Sequence, residues 1–173
     1  DGIDIAQIDP ADLRKGISYV PQDIHLFGGT IKQNILGIHK FIDDEWMLEC
    51  SKISGTDEFV RMHPAGYDMP LGERGAGLSG GQRQSVGIAR ALINNSDIWM
   101  FDEPTNAMDQ TSESIVLNNL MSKVEGKTLL LVTQKMSMVD LVDRIKDMNI
   151  GTKVLDGPKD EIINKLGNSG EKQ

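Results

Sequence analysis

Two runs decide how this chain is read: LSGGQ (Leu78–Gln82), and IWMFDEPTNAMD (Ile98–Asp109), which follows a short apolar helix pattern. Gly80 and Gly81 lack side chains, so backbone N–H groups can approach an anion there. Ser79 adds a hydroxyl, and a helix starting at this turn offers its positive dipole end. A Ser-Gly-Gly turn by itself is only a tight turn. What strengthens it is the helical spacing of Val86, Ala89, Arg90 and Ile93 behind it, widened by Ala91 and Leu92. Ile98 to Phe101 is a continuous apolar run that predicts a strand buried on both faces. Asp102 ends that strand, where a carboxylate is costly unless it meets a metal or a donor. The plainer alternative is that Asp102 and Glu103 merely cap the next helix.

Working outward, Asp109 is placed to cap a helix whose Leu117, Leu120, Met121 and Val124 recur at helical spacing, with Gly126 ending it. Thr128 to Thr133 reads as a second fully apolar strand, reaching Gln134, and Ser137 as the cap of a short helix through Val142. Strand, helix, strand at this spacing is a βαβ unit, which requires a parallel sheet covered by helices. Upstream, Ile17 to Val20 is a short strand closed by Pro21, which puts Gln22 in a loop just past a strand end. Ligands gather at the carboxyl ends of parallel strands, and Gln22, Asp102, Glu103 and Gln134 all fall at such ends.

The remaining stretches read as scaffold. Ile3, Ile5 and Ile8 suggest a strand or an extended edge, and Asp9 with Pro10 opens a short helix through Arg14. Asp23 to Gly37 is a turn feeding a helix; Asp43 to Met62 is helical with a break near Ser54 and Gly55; Pro64 to Gly77 is loop. Ile145 to Val154 predicts a hairpin turning near Gly151, its apolar pattern interrupted by Lys146 and Asp147. A last helix follows Gly157 and Pro158 through Leu166, with fraying beyond Gly167.

A chain of 173 residues with 39% hydrophobic content matches one domain with a real core. The net charge of -8 and the lack of any Lys/Arg cluster argue against nucleic acid as a partner. The lone Cys50 excludes an internal disulfide and fits a reducing compartment. No apolar run approaches the roughly 20 residues that span a bilayer. The start at Asp1 and Gly2, without Met, reads as the middle of a protein.

On these residues the chain resembles the nucleotide-binding domain of an ATP-binding cassette (ABC) transporter. Leu78, Ser79, Gly80, Gly81 and Gln82 match the family's signature motif, and Ile98 to Asp102 its Walker B strand. The resemblance makes Asp102 the Mg²⁺ aspartate, Glu103 the catalytic glutamate and Gln22 the Q-loop glutamine that meets Mg²⁺ and water. Asn106, Ala107, Met108 and Asp109 resemble the D-loop, with Asn106 and Met108 in place of the commoner Ser and Leu. Gly72, Glu73, Arg74 and Gly75 resemble the loop of exporters that touches coupling helices. Asp1 to Leu13 and Leu26 to Asn34 are family-like too. Thr133 to Met136, Leu141 to Arg144, Gly157 and Pro158 are most similar to ATPases of bacterial type I protein secretion, although lipid or drug exporters share most of them.

What the resemblance implies is an α/β fold of the P-loop NTPase kind: a RecA-like parallel-sheet core (1–22 and 96–173) with an inserted helical subdomain (23–95), shortened at its N-terminal side. ATP and Mg²⁺ would be its ligands. Its partners would be a second such domain, arranged head to tail, and the transmembrane domains of an exporter at the cytoplasmic face of a bacterial inner membrane. Hydrolysis would power export, protein or peptide secretion first. A degenerate half that binds a partner domain without hydrolysing, and an ABC ATPase without transport function, are the alternatives.

Two departures bear on that expectation. No G-x-x-x-x-G-K-[ST] phosphate loop occurs in the 173 residues; in the family it lies ahead of the position of Asp1, as does the aromatic residue that stacks on adenine. Charged hydrogen bonds contribute roughly 1.5 to 3 kcal/mol each, so lacking three or more removes about what micromolar binding requires. Gln134 stands where the family usually has its switch histidine; an amide still donates to a γ-phosphate but carries no charge, so slowed turnover is expected. His25, His39 and His63 match no site.

Overall fold

The computed structural model describes residues 2–39 and 41–170, so the expectation placed on Asp1 lies outside the described residues. The chain divides into two compact units, Asp1–Thr133 and Gln134–Gln173.

In the first unit, helix α1 (Pro10–Lys15) is started by Asp9, whose carboxylate accepts the Ala11 N–H, with Pro10 at the first helical position. Strand β1 (Ile17–Val20) follows. A two-residue strand, β2 (Gly29–Thr30), leads into α2 (Ile31–Leu36), where Thr30 and Gln33 form a reciprocal capping box. Helices α3 (Asp44–Ile53) and α4 (Thr56–Val60) are separated by Gly55 in the left-handed region, the break expected there. The glycine-rich loop after them carries a two-residue strand, β3 (Pro70–Leu71), antiparallel to β2.

The long helix α5 (Gly80–Ile93) packs against α2, α3, α4 and β1 and is the hub of the unit. Strands β4 (Ile98–Asp102) and β5 (Thr128–Val132) flank α6 (Gln110–Met121) in the sequence. Together with β1 they form a parallel three-stranded sheet in the order β1-β4-β5, as the βαβ pattern requires. The mixed α/β fold with a parallel sheet core is thus present.

Polar side chains fix α5 to the sheet. Ser18 donates to the Ala91 carbonyl at 2.6 Å and accepts from Ser96 at 2.7 Å, while Trp46 reaches the Ile93 carbonyl at 3.2 Å. On the near end of α5, Arg90 donates to the carbonyls of Asn34 (2.7 Å) and His25 (2.9 Å) and lies over the Phe27 ring. Arg90 is therefore a tie to the loop before α2 and not part of an apolar stripe.

Several expectations are corrected. Ile3 to Ile8 is no strand: Asp4 accepts the Ala6 N–H and starts a 3₁₀ turn, Ile5–Gln7, since no second strand among the described residues pairs with it. The sheet is not buried on both faces. Its register sets Ser18, Trp99 and Val20, Phe101 on one face, with the two rings stacked 5.6 Å apart, and that face is buried. On the other face Tyr19 is 57% exposed, Leu130 54% and Val132 54%, because none of the described elements covers them. Helix α6 buries Glu113, Val116 and Leu120, with Met121 exposed and Val124 beyond its end. The buried stripe runs through Glu113 because its carboxylate accepts from the equally buried Thr105.

The second unit holds a 3₁₀ segment, Met136–Leu141, started at Lys135 instead of the expected Ser137. The hairpin is present as β6 (Arg144–Asn149) and β7 (Thr152–Pro158), turning at Ile150 and Gly151. Lys146 is solvent-facing at a strand pair with a bulge between Asp147 and Met148, so the polar interruption is accommodated at a twisted edge. Helix α7 (Lys159–Gly170) continues through Gly167, where fraying was expected.

Candidate functional site

Ser79 is the N-cap of α5: its hydroxyl accepts from the Gln82 N–H at 3.1 Å, and the Gln82 amide oxygen accepts from the Ser79 N–H at 2.9 Å. This capping box satisfies the third helical N–H and leaves those of Gly80 and Gly81 available at the positive end of a 14-residue helix. Leu78 is buried beneath the turn, and its carbonyl accepts from Arg83 at 2.7 Å. The two glycines have a further role. A Cβ on Gly80 would come within 3.1 Å of the Ala107 Cβ, and one on Gly81 within 3.1 Å of the Ala107 carbonyl oxygen. Only bare backbone lets the first turn of α5 lie this close to the segment 106–108.

That segment continues the acid turn at the end of β4. Asp102 is half-buried, and no donor among the described residues hydrogen-bonds its carboxylate. Glu103 adopts a left-handed conformation (φ 45°), unusual for a non-glycine residue and costing on the order of 1–3 kcal/mol unless its surroundings impose it. They do: its N–H donates to the Val132 carbonyl at 2.9 Å, its carbonyl accepts from the Asn106 N–H at 3.2 Å, and its carboxylate accepts from Thr133 at 3.3 Å. The acid pair is not a helix cap. Asp109 performs that task, accepting from the Ser112 N–H (2.9 Å) and hydroxyl (2.8 Å), which holds its carboxyl below the ordinary range.

A cleft of about 350 Å³ is lined by Gln22, Arg74, Gly80, Gln84, Asn106 and Ala107, so the structure brings together four groups of residues singled out in the sequence. On the other side of the glycine turn a second cleft, about 270 Å³, has Ser79, Gly81, Gln82, Ala107 and Asp109 in its wall beside Phe59 and Met62. Gly72 to Gly75 form a tight loop, exposed at its first three residues and buried at Gly75, in which Arg74 (φ 58°) and Gly75 (φ 73°) are both left-handed. A Cβ on Gly75 would stand 2.9 Å from Leu26, so the loop is pinned to the segment leading to β2. Gln134 opens the second unit and is exposed.

One residue of this arrangement was not singled out from the sequence. Gln84 is 4% exposed; its amide donates to the Glu103 carbonyl at 3.2 Å and accepts from the Ala107 N–H at 2.8 Å. The available signal is positional: Gln84 follows Gly80 and Gly81 by one helical turn and shares the face that the glycines open to close approach.

Chemically, the site combines free backbone donors at a helix end with a carboxylate that has no hydrogen-bond donor among the described residues and a second carboxylate held by its backbone. Among the described residues no three His, Cys, Asp or Glu side chains form a metal-binding group. Carboxylate and amide oxygens are donor types that Mg²⁺ accepts beside water and phosphate oxygens, but neither Asp102 nor Glu103 is in the wall of the cleft that holds Gln22. Also among the described residues, no helix is long and apolar enough to cross a membrane.

Comparisons with known proteins agree with this fold. A family model described as ABC transporter matches residues 1–106. The leukotoxin translocation ATP-binding protein LktB of Mannheimia haemolytica is 40% identical over 163 residues, 94% of this chain and 23% of that protein. LktB of Bibersteinia trehalosi aligns with the same identity and coverage. A solved bacterial Atm1-family ABC exporter with ATP bound has a TM-score of 0.90 at 32% identity, over 99% of this chain and 30% of that chain. The chain thus spans about a quarter of the length of the curated relatives it matches.

Proposed function

Because the chain belongs to the ABC transporter family, we propose that it is part of the ATP-binding and ATP-hydrolysing domain of an exporter, one that secretes protein or peptide. The observation that carries this reading is the close packing of the signature turn on the acid turn, made possible by Gly80 and Gly81. The name of LktB, a leukotoxin translocation protein, supports the protein-secretion class over a small-molecule exporter.

In this reading the Gly80 and Gly81 N–H groups and the Ser79 hydroxyl bind the γ-phosphate of ATP held by a second nucleotide-binding domain, arranged head to tail. Asp102 and Gln22 hold Mg²⁺, which neutralises phosphate charge when bound. Glu103 orients water and accepts its proton, a task suited to a carboxylate whose backbone cannot shift. Gln134 donates to the phosphate in place of a histidine. Asn106 to Asp109 face the partner domain, and the Gly72–Gly75 loop meets the transmembrane domains at the cytoplasmic face of an inner membrane.

The test is a fusion that places a G-x-x-x-x-G-K-[ST] segment ahead of this chain. It should hydrolyse ATP with Mg²⁺, and Gln134→His should raise the rate. A fusion that binds ATP but never hydrolyses it would favour the second reading, a regulatory half. Gln134, unable to carry a charge, is the observation on that side.

A further inference from the structure

We propose that Gln84 is a positioning residue that couples the signature turn to the catalytic acid within one domain, an inference that rests on the hydrolytic reading above. Glutamine in the middle of a helix ordinarily faces solvent, yet Gln84 is buried and both ends of its amide are engaged. Both partners are backbone groups of the acid turn: the Glu103 carbonyl and the Ala107 N–H.

The placement gives these two bonds their consequence. Glu103 is held at φ 45° by the Val132 carbonyl on one side and the Asn106 N–H on the other, which tie it to β5 and to its own turn. Gln84 adds a tie from α5. It sits one helical turn behind the glycines that meet the phosphate in the proposed site, so a shift of that helix end moves the Glu103 carbonyl and the Ala107 N–H with it. Gly80 and Gly81 leave room for Ala107 and Met108 to come close, and among the described residues they donate no backbone hydrogen bond to them. The Gln84 amide transmits a pull. Nucleotide contact at the signature turn and the orientation of the Glu103 carboxylate are thereby linked through one side chain.

Two substitutions separate the bonds. Gln84→Leu removes both at similar volume, and Gln84→Glu retains an acceptor for the Ala107 N–H while losing the donor to the Glu103 carbonyl. In the 173-residue chain, amide exchange at Ala107 should quicken about tenfold in Gln84→Leu and stay near wild type in Gln84→Glu, with exchange in α5 itself unchanged. In the phosphate-loop fusion, kcat should fall about tenfold in both variants while the KM for ATP stays within about twofold, the signature of a displaced catalytic group and not of lost binding. Unchanged Ala107 exchange in Gln84→Leu, or an active fusion whose kcat ignores both substitutions, overturns the proposal. A fusion with native Gln84 that does not hydrolyse ATP defeats the hydrolytic reading instead, and exchange at Ala107 still decides whether Gln84 holds the turn.

Discussion

The contact between α5 and the acid turn and the open face of the sheet are both edges of the same strands, finished in opposite ways. At the first, every approach is specified: glycines where the backbones meet, a capping box on Ser79, and a buried glutamine spanning the remaining gap. At the second, Tyr19 on β1 and Leu130 on β5 stand in register across Met100, with Val132 two residues along β5, and about half of each of the three is exposed. The signature and acid turns are closed on each other by groups of the chain itself, whereas one face of the sheet stays about half-exposed among the described residues.

The largest effect expected at the finished end is on chemistry. Glu103→Gln in the fusion should lower the ATPase rate by about 10² to 10⁴-fold with ATP binding retained, as measured by phosphate release and by equilibrium binding. A rate within a few-fold of wild type would separate the acid turn from hydrolysis. Next comes the contrast between the two faces of the sheet. Phe101→Ala should destabilise by about 3–5 kcal/mol, since that ring is fully enclosed against Trp99. Leu130→Ala, on the next strand but on the open face, should cost less than about 1 kcal/mol in the same denaturant titration. Equal losses would mean that the open face is covered in solution.

Much of the finished end was legible. Asp9, Ser79 and Asp109 begin helices where cap chemistry predicts, and the parallel sheet follows from the βαβ spacing around α6. The signals are local, and the structure honours them. The Gln84 bridge was not legible, because a polar residue inside a helix looks the same whether it faces water or a turn twenty residues away. Glu113 was missed for a related reason: it shares the helical period of Val116 and Leu120, but a carboxylate there reads as solvent-facing unless its partner Thr105 is known. The open face was misread because a run such as Leu129 to Val132 reports how apolar a strand is, not whether anything lies on both sides of it.

The smaller predictions sharpen the same contrast. Leu130→Lys should reduce self-association of the chain, seen by sedimentation at rising concentration, with little change in the unfolding midpoint, because an exposed apolar face beside an unpaired edge favours association. In the enclosed helical part, burial pushes the Cys50 thiol up to about 12 from 9.0. The folded chain should resist a thiol reagent at pH 8 and react only on unfolding. Cys50 stays protonated in the native state while the unfolded thiol ionises, so its contribution is present below pH 9 and is lost as pH rises from 9.0 toward about 12. Cys50→Ala should flatten that part of the stability profile.

In the proposed function the signature and acid turns act on nucleotide only together with a phosphate loop. This is tested most directly by titrating ATP and Mg²⁺ into the 173-residue chain and into the fusion, side by side. The predicted result is micromolar affinity for the fusion and a dissociation constant at least about a thousandfold weaker for the chain alone. A micromolar dissociation constant for the chain alone would contradict it.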